Sequence, residues 1–344
     1  GIDVKIITGD NMATTHTIAM QTGFKGADRI IDGEALHALT DAELVTKVNG
    51  VNIFTRVFPD AKLRVINALK GNGKIVAMTG DGVNDGPALK SAHIGIAMGK
   101  KGSEIAKQAS SLILTDDDLA KMVDAVAMGR KIYSNLKKAI QYIISIHIPI
   151  ILTVFIPLAL GWVYPNIFTP VHVIFLELIM GPTCSIIYEN EPIEKNLMQQ
   201  RPRLFSNTFF NLRELTTSIV QGLMITAGTL IAYRYAVWLG CNESMTRTLV
   251  FLTLISANIF LTLVNRSFYY SVIETSRYKN NLVIWMISIT IALVLLMFFF
   301  PPVTKIFGFE RPGAVPSAVS VIIGFLSVIW FEGVKFFKRR KSNL

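Results

Sequence analysis

Carboxylates, hydroxyls and glycines directly follow three short apolar runs in this sequence. Thr8-Gly9-Asp10 follows the run VKII, and Thr79-Gly80-Asp81 follows the run IVAM. Thr115 opens a run of three aspartates after the segment SLIL. Glycine lets a backbone approach a ligand closely, while hydroxyl groups and helix N-termini favour an anion. Carboxylates gathered at one edge attract a cation such as Mg²⁺, which binds carboxylate oxygens together with substrate phosphates.

Short β-branched runs bounded by glycine are typical of buried strands, and they must position these groups. We predict strands over 4–8, 52–56, 75–79, 94–98 and 111–115. Helices are predicted between them over 11–21, near 41–48, from Asp60 to about Leu69, and from Pro87. Thr40 and Glu43 have the spacing of a capping box for the second helix, and Asp60 is the predicted cap of the third. This alternation predicts an α/β domain with a mostly parallel sheet.

Ligands of parallel α/β sheets bind outside the carboxyl ends of the strands, so the Thr-Gly-Asp segments are expected to share one edge. Lys62, at the start of its own helix, is expected to add a fixed positive charge there. Phosphate, Mg²⁺ and lysine together form a phosphoryl-transfer site.

Some of these segments have a structural interpretation as well. A lone Thr-Gly-Asp is usually a turn, because Asp-Gly marks turns in many proteins. The segment TGDGVNDGPALK differs, since its two carboxylates, its asparagine and its glycines do no obvious packing work. The aspartates 116–118 are better interpreted as a helix cap than as metal ligands.

The composition changes from Ile140 onward, where apolar stretches of about twenty residues recur, the length that crosses a ~30 Å hydrocarbon core. We predict six spans over 140–163, 168–188, 215–239, 247–265, 281–301 and 315–337. Six such stretches in series favour a multi-pass membrane domain over the buried helices of a soluble protein. The predicted organisation is a soluble domain over 1–118, a helical stalk over 119–139 and a membrane domain over 140–344.

The net charge of +10 follows the membrane topology and does not indicate a nucleic-acid partner. Lysines and arginines crowd the loops after the second and fourth spans and the tail, whereas the opposite loops hold only Arg247, Lys305 and Arg311. This positive-inside bias predicts that the soluble domain and the carboxyl terminus are cytoplasmic in a plasma (inner) membrane. Because the chain begins at Gly1, directly before a strand, we expect it to be part of a longer protein.

The segment TGDGVNDGPALKSAHIGIAMG resembles the hinge signature of P-type cation-transporting ATPases. IITGDN and FTRVFPDAK are similar to two further signatures of that family, and GRKIYSNLKKAIQYIIS is similar to its stalk. The resemblance covers essentially the whole chain and implies a haloacid-dehalogenase-like phosphorylation domain followed by six membrane helices. It also implies ATP as substrate.

The resemblance assigns roles to individual residues of the soluble domain. It implies that Asp81 binds the catalytic Mg²⁺, with Asn84 and Asp85 supporting the site, and that Lys62 contacts the phosphoryl group. Thr8, Gly9 and Asp10 are implied to line the phosphate pocket. Gly86 stands where the family usually has alanine.

The family's nucleophile lies in Asp-Lys-Thr-Gly-Thr, which this sequence lacks. Its nucleotide-binding domain, actuator loop and first four spans are also missing, so we expect the chain alone to be inactive and to need the remainder of the same polypeptide.

Polar residues within the spans are the candidates for binding the transported cation. Glu177 is the strongest, because an unpaired carboxylate at bilayer depth is costly; Gly181-Pro182 lies close after it and is expected to interrupt the helix. His147 and Asn258 are weaker candidates, since such residues often only link helices.

Several functions remain open. Calcium pumps of this family with one site have Asn-Leu-Ile-Met-Asp where this chain has Glu177-Leu-Ile-Met-Gly. Ca²⁺ is the leading cation, and a proton or monovalent-cation pump is the alternative. A membrane sensor or scaffold with a degenerate phosphatase-like domain is a further alternative.

Overall fold

The computed structural model describes residues 2–202 and 208–342. The chain forms two compact units. The first consists of residues 2–127 with 198–202, and the second of residues 128–197 with 208–342.

The described part of the first unit alternates strands and helices, as predicted. Its strands are β1 (Ile6–Ile7), β2 (Ile30–Asp32), β3 (Ile53–Thr55), β4 (Ala77–Gly80), β5 (Ile94–Met98) and β6 (Leu112–Leu114). Its helices are α1 (Met12–Gln21), α2 (Gly33–His37), α3 (Asp41–Lys47), α4 (Pro59–Gly71), α5 (Gly86–Ser91) and α6 (Glu104–Ala109). The strand β2 was not among the predicted strands.

All strand pairs of this unit are parallel, and they form two three-stranded sheets in the orders β1-β3-β2 and β4-β5-β6. Ile7 pairs with Phe54 in the first sheet, and Thr79 pairs with Ile96 in the second. A single cluster of buried side chains includes Phe54 of one sheet and Met78 of the other. The predicted parallel α/β fold is therefore confirmed, with its strands divided between two sheets that share a core.

Local signals explain where two of these helices begin. The hydroxyl of Thr40 accepts a hydrogen bond from the Glu43 N–H, and the Glu43 carboxylate accepts one from the Thr40 N–H, so the predicted capping box is present. The predicted cap at Asp60 is wrong, because Phe58 precedes the helix and Pro59 opens it. Proline fits this first position because it lacks an N–H and its φ is fixed near helical values, and Asp60 lies in the favourable first turn.

The described part of the second unit is helical. Its main helices are α7 (Lys121–Ala159) from residue 128 onward, α8 (Pro170–Pro182), α9 (Leu212–Trp238), α10 (Glu243–Val264), α12 (Asn281–Phe299) and α14 (Ala314–Ser342). The short helices α11 (Val272–Thr275) and α13 (Pro301–Ile306) lie between them. Thr183–Tyr188 continues α8 as a π-helix, so the helix changes its hydrogen bonding directly after Gly181-Pro182. Six helices of the described chain are long and apolar enough to cross a membrane, which confirms the predicted number.

The helix α10 is the most enclosed of these six, because 72% of an apolar 18-residue stretch within it is buried. Gly324 of α14 allows the close approach, because a Cβ there would lie 2.8 Å from the Thr253 carbonyl oxygen of α10. Small residues at helix contacts are typical of membrane bundles. The packing therefore makes α10 the centre of the bundle.

Candidate functional site

The ammonium group of Lys62 binds the carboxylate of Asp85, with Nζ 2.6 Å from Oδ1. Lys62 lies in the first turns of α4, and Asp85 ends a 3₁₀ turn that follows β4. Both side chains are largely buried, at 18% and 9% exposure, so solvent screens this pair weakly. The contact fixes a positive charge beside the carboxyl end of β4, and the ammonium group has three N–H donors in all.

The glycines around Asp85 let its carboxylate fold back onto the loop. Asp85 Oδ2 accepts a hydrogen bond of 3.2 Å from the Gly82 N–H. A Cβ on Gly80 would lie 2.7 Å from the Asp85 Cβ, so a larger residue at Gly80 would displace the aspartate. The TGDGVND segment thus builds a compact loop in which Asp85 positions Lys62.

The segment after β1 is tied to the start of α4 through the backbone. The Val57 N–H donates to the Thr8 carbonyl, and the Arg56 N–H donates to the Asp10 carbonyl. The Thr8 hydroxyl lies 3.2 Å from Asp10 Oδ2 and accepts a bond from the Asp10 N–H. Val57 lies two residues before α4, the helix that carries Lys62. Thr8 and Asp10 therefore lie at the end of the sheet where α4 begins.

Four predicted site residues of the first unit are exposed, namely Gly9, Asp10, Asp81 and Asn84. The Asp81 carbonyl accepts a hydrogen bond of 2.8 Å from the Ser103 N–H. The Asp81 carboxylate makes no hydrogen bond among the described residues. The described residues contain no group of three or more His, Cys, Asp or Glu side chains that could hold a metal ion. A free carboxylate at a phosphate site nevertheless fits Mg²⁺, which uses one or two carboxylates, phosphates and waters.

The three aspartates after β6 bind backbone N–H groups. Asp117, in the left-handed conformation at φ 61°, accepts bonds of 2.9 Å from the N–H groups of Lys100 and Lys101. Asp118 accepts from the Ala120 N–H just before α7. The Asp118 bond agrees with the predicted helix cap, whereas Asp117 caps no helix and instead binds the loop after β5.

In the second unit, His147 of α7 and Glu177 of α8 form a pair. Their Nε2 and Oε1 atoms lie 3.1 Å apart, and both side chains are more than two fifths exposed. His147 Nδ1 lies 2.8 Å from the Ile143 carbonyl, an acceptor, so this nitrogen carries a hydrogen. The pair therefore joins α7 to α8 through partly exposed side chains.

The third membrane candidate, Asn258, lies elsewhere. It is 5% exposed on α10 and borders a small cavity that neither His147 nor Glu177 lines. The sequence prediction grouped these three residues, whereas the packing brings only two of them together.

Sequence reasoning missed a buried ion pair in the same unit. Arg266, after α10, donates to Glu191, after the π-helix, with Nε 2.7 Å from Oε1. Asn280 donates to the same carboxylate, and Asn135 of α7 donates to the Glu191 carbonyl. Glu191 and Arg266 follow helix ends, where a charged residue in the sequence looks like an ordinary loop residue.

Comparisons with known proteins agree with both units. A family model described as "Cation transporting ATPase, C-terminus" matches residues 165–337, and one described as "haloacid dehalogenase-like hydrolase" matches residues 1–93. The chain is 30% identical to "Calcium-transporting ATPase 1" of Bacillus cereus over 98% of its own length and 40% of that protein. It is 34% identical to "Calcium-transporting ATPase 1" of Lactococcus lactis over 85% of its own length and 33% of that protein.

A human relative, "Calcium-transporting ATPase type 2C member 2", is 31% identical over 92% of the chain and 33% of its own length. The chain thus spans between a third and two fifths of the length of these relatives. The chain combines a haloacid-dehalogenase-like domain with six helices long and apolar enough to cross a membrane. The chain belongs to the family of P-type cation-transporting ATPases and corresponds to its carboxyl-terminal part.

Proposed function

We propose that the full-length protein is a pump that transports a cation across the membrane with energy from ATP, through an aspartyl-phosphate intermediate. The observation that carries the proposal is the Lys62–Asp85 pair at the carboxyl end of β4. The buried ammonium group of Lys62, together with the exposed carboxylate of Asp81, suits a transferring phosphoryl group, whose negative charge must be neutralised. Asp85 acts as a positioning residue, and Lys62 contacts the phosphoryl oxygens.

The phosphate pocket is formed by the loops after β1 and β4. Thr8, Gly9 and Asp10 supply hydroxyl and backbone donors, and Asn84 adds an amide. Asp81 holds Mg²⁺, which supplies positive charge to the phosphate when it is bound. These roles are supported by the position of the residues at strand ends and by the match of residues 1–93 to the hydrolase family.

The missing nucleophile is proposed to come from the remainder of the same polypeptide, together with the nucleotide-binding domain, the actuator domain and four further spans. The greater length of the relatives supports this. Within the described residues β1 pairs only with β3 and β4 only with β5, so each has an edge free for another strand. A strand added there would end beside Thr8 and Asp81, which suits a phosphorylated aspartate.

Ca²⁺ is the proposed cation, and the printed names of the relatives favour it. Glu177 supplies a carboxylate at bilayer depth. Its exposure of 45% leaves it open to a further helix, so part of the site is proposed to come from the missing spans. The His147 contact favours a second candidate, a proton pump, because an imidazole beside a carboxylate can carry a proton.

The proposed location is a plasma (inner) membrane, with the first unit and the carboxyl terminus in the cytoplasm. The lipid bilayer and the transported cation are the remaining partners, and no nucleic acid is proposed.

ATPase activity of the purified full-length protein in lipid nanodiscs tests the cation assignment. Activity is measured while Ca²⁺, Na⁺, K⁺ and pH are varied one at a time. Stimulation by micromolar Ca²⁺ is expected. Stimulation by acid pH without any response to Ca²⁺ would replace Ca²⁺ with the proton, and stimulation by Na⁺ or K⁺ alone would assign a monovalent cation.

A further inference from the structure

The side chain of Asn258 is buried at the junction of four membrane helices. It lies on α10 and faces a cavity bordered by Tyr142 of α7, Ile179 and Met180 of α8, and Thr290 of α12. The cavity leaves about 20 Å³ for the centre of a water molecule. One water needs roughly 10–15 Å³ by this measure, so the space suits a single small molecule.

Neither polar atom of the Asn258 amide has a hydrogen-bond partner among the described residues. Its Oδ1 and Nδ2 atoms are both shielded from solvent. Buried amides of this kind are nearly always paired in folded proteins, because an unpaired group forfeits its bonds with water. The unpaired amide and the cavity beside it are two separate observations that point to a ligand.

The other polar groups around the cavity define the chemistry of that ligand. The Thr262 hydroxyl donates to the Asn258 carbonyl at 2.8 Å, and the Thr290 hydroxyl donates to the Met286 carbonyl at 2.9 Å. Each hydroxyl has one hydrogen, so both threonines can only accept further bonds. The site therefore offers the two N–H donors of Asn258 together with several acceptors.

A water molecule matches this set of groups, since it can accept from Asn258 Nδ2 and donate to a threonine oxygen. A metal cation matches it poorly. The residues that line the cavity include no carboxylate, and a buried charge without a counter-charge is costly in a membrane.

We infer that one structural water molecule occupies this cavity and links α10 to α12 through Asn258 and the threonine hydroxyls. The site is separate from the His147–Glu177 pair, and the inference is independent of which cation the protein transports. The role of Asn258 is to hold the water and so to connect helices.

The test is a cryo-electron microscopy structure of the full-length protein in nanodiscs, at a resolution that shows ordered waters. Maps are collected in NaCl, KCl and choline chloride. We expect a density peak within hydrogen-bond distance of Asn258 Nδ2 in all three salts. An empty cavity would overturn the inference. A peak that appears only with Na⁺ or K⁺ would also overturn it, and would make the site a cation site.

Two matched substitutions on buried asparagines give a second measurement. Asn265 exchanges two hydrogen bonds with Gln221, at 2.9 and 3.1 Å. Asn265→Leu therefore leaves the buried Gln221 amide without these two bonds. Asn258→Leu releases only the water. We expect the thermal unfolding temperature to fall clearly in N265L and to fall much less, or to rise, in N258L. An equal fall in both variants would indicate a protein partner for Asn258 and would contradict the water site.

Discussion

His147 and Glu177 meet between α7 and α8, with the imidazole Nε2 3.1 Å from the carboxylate Oε1. The other ring nitrogen lies 2.8 Å from the Ile143 carbonyl oxygen, so both ring nitrogens have a partner. A cation that binds to Glu177 would replace the imidazole as the partner of this carboxylate.

The first prediction concerns the charge of Glu177. Glu177→Gln should leave the protein folded and membrane-inserted but remove cation-stimulated ATPase activity, because the amide cannot balance the charge of a bound cation. Phosphorylation by inorganic phosphate, measured with ³²P, should persist. His147→Gln is the companion variant, and it should retain stimulation while changing its pH dependence. Wild-type cation dependence in E177Q would show that Glu177 is structural.

The second prediction concerns Lys62. Lys62→Ala should slow phosphorylation by ATP by about 10²-fold or more, the usual cost of losing one preorganised electrostatic contact. Rapid-quench measurement of the phosphoenzyme gives the rate. Lys90→Ala, which removes an exposed lysine from α5, is the control and should behave as wild type. An unchanged rate in K62A would mean that the lysine does not act on the phosphoryl group.

The sequence predicted the parts of this site that depend on local pattern. The short β-branched runs before Thr8 and Thr79 form the predicted strands β1 and β4. The structure places these strands in two different sheets, so the shared edge of their Thr-Gly-Asp segments stays a prediction. The six spans followed from the length and hydropathy of their segments. The Thr40–Glu43 capping box followed from spacing alone.

Contacts between distant positions could not be predicted in the same way. Lys62 and Asp85 are 23 residues apart and meet only because α4 packs beside the loop after β4. His147 and Glu177 meet through the rotation of two helices about their axes, which a single sequence does not specify. The strand β2 has three residues and lacks a clear period, so its pairing with β3 decides its structure.

The third prediction concerns the buried pair of Glu191 and Arg266, whose side chains are 0% and 5% exposed. Arg266→Leu should reduce the free energy of unfolding by about 3–5 kcal/mol, because it leaves a buried carboxylate without a counter-charge. The double variant with Glu191→Leu should be more stable than R266L. Denaturation in detergent measures both. A double variant with the summed loss of the two single variants would indicate that the residues are not coupled.

The fourth prediction concerns Asp117. Hydrogen bonds from the backbone N–H of Lys100, and then of Lys101, hold the pKa of its carboxyl below the ordinary value. A lowered folded-state pKa stabilises the fold above the unfolded pKa of about 3.9, and that stability is lost as the pH falls through the folded value. Wild type should therefore lose more thermal stability than Asp117→Asn between about pH 5 and pH 3. Parallel pH profiles of the two proteins would exclude this role.

We propose that the first unit forms a phosphoryl-transfer site around Asp81 and Lys62. The most direct measurement is acid-stable ³²P labelling of the full-length protein by ATP in the presence of Mg²⁺. Wild type and the control Asp28→Ala, an exposed surface residue, should form the phosphoenzyme. Asp81→Ala should form none, because the site loses the carboxylate that binds the metal. Labelling of D81A at the wild-type level would show that Asp81 does not hold the metal and that the phosphoryl-transfer site is misplaced.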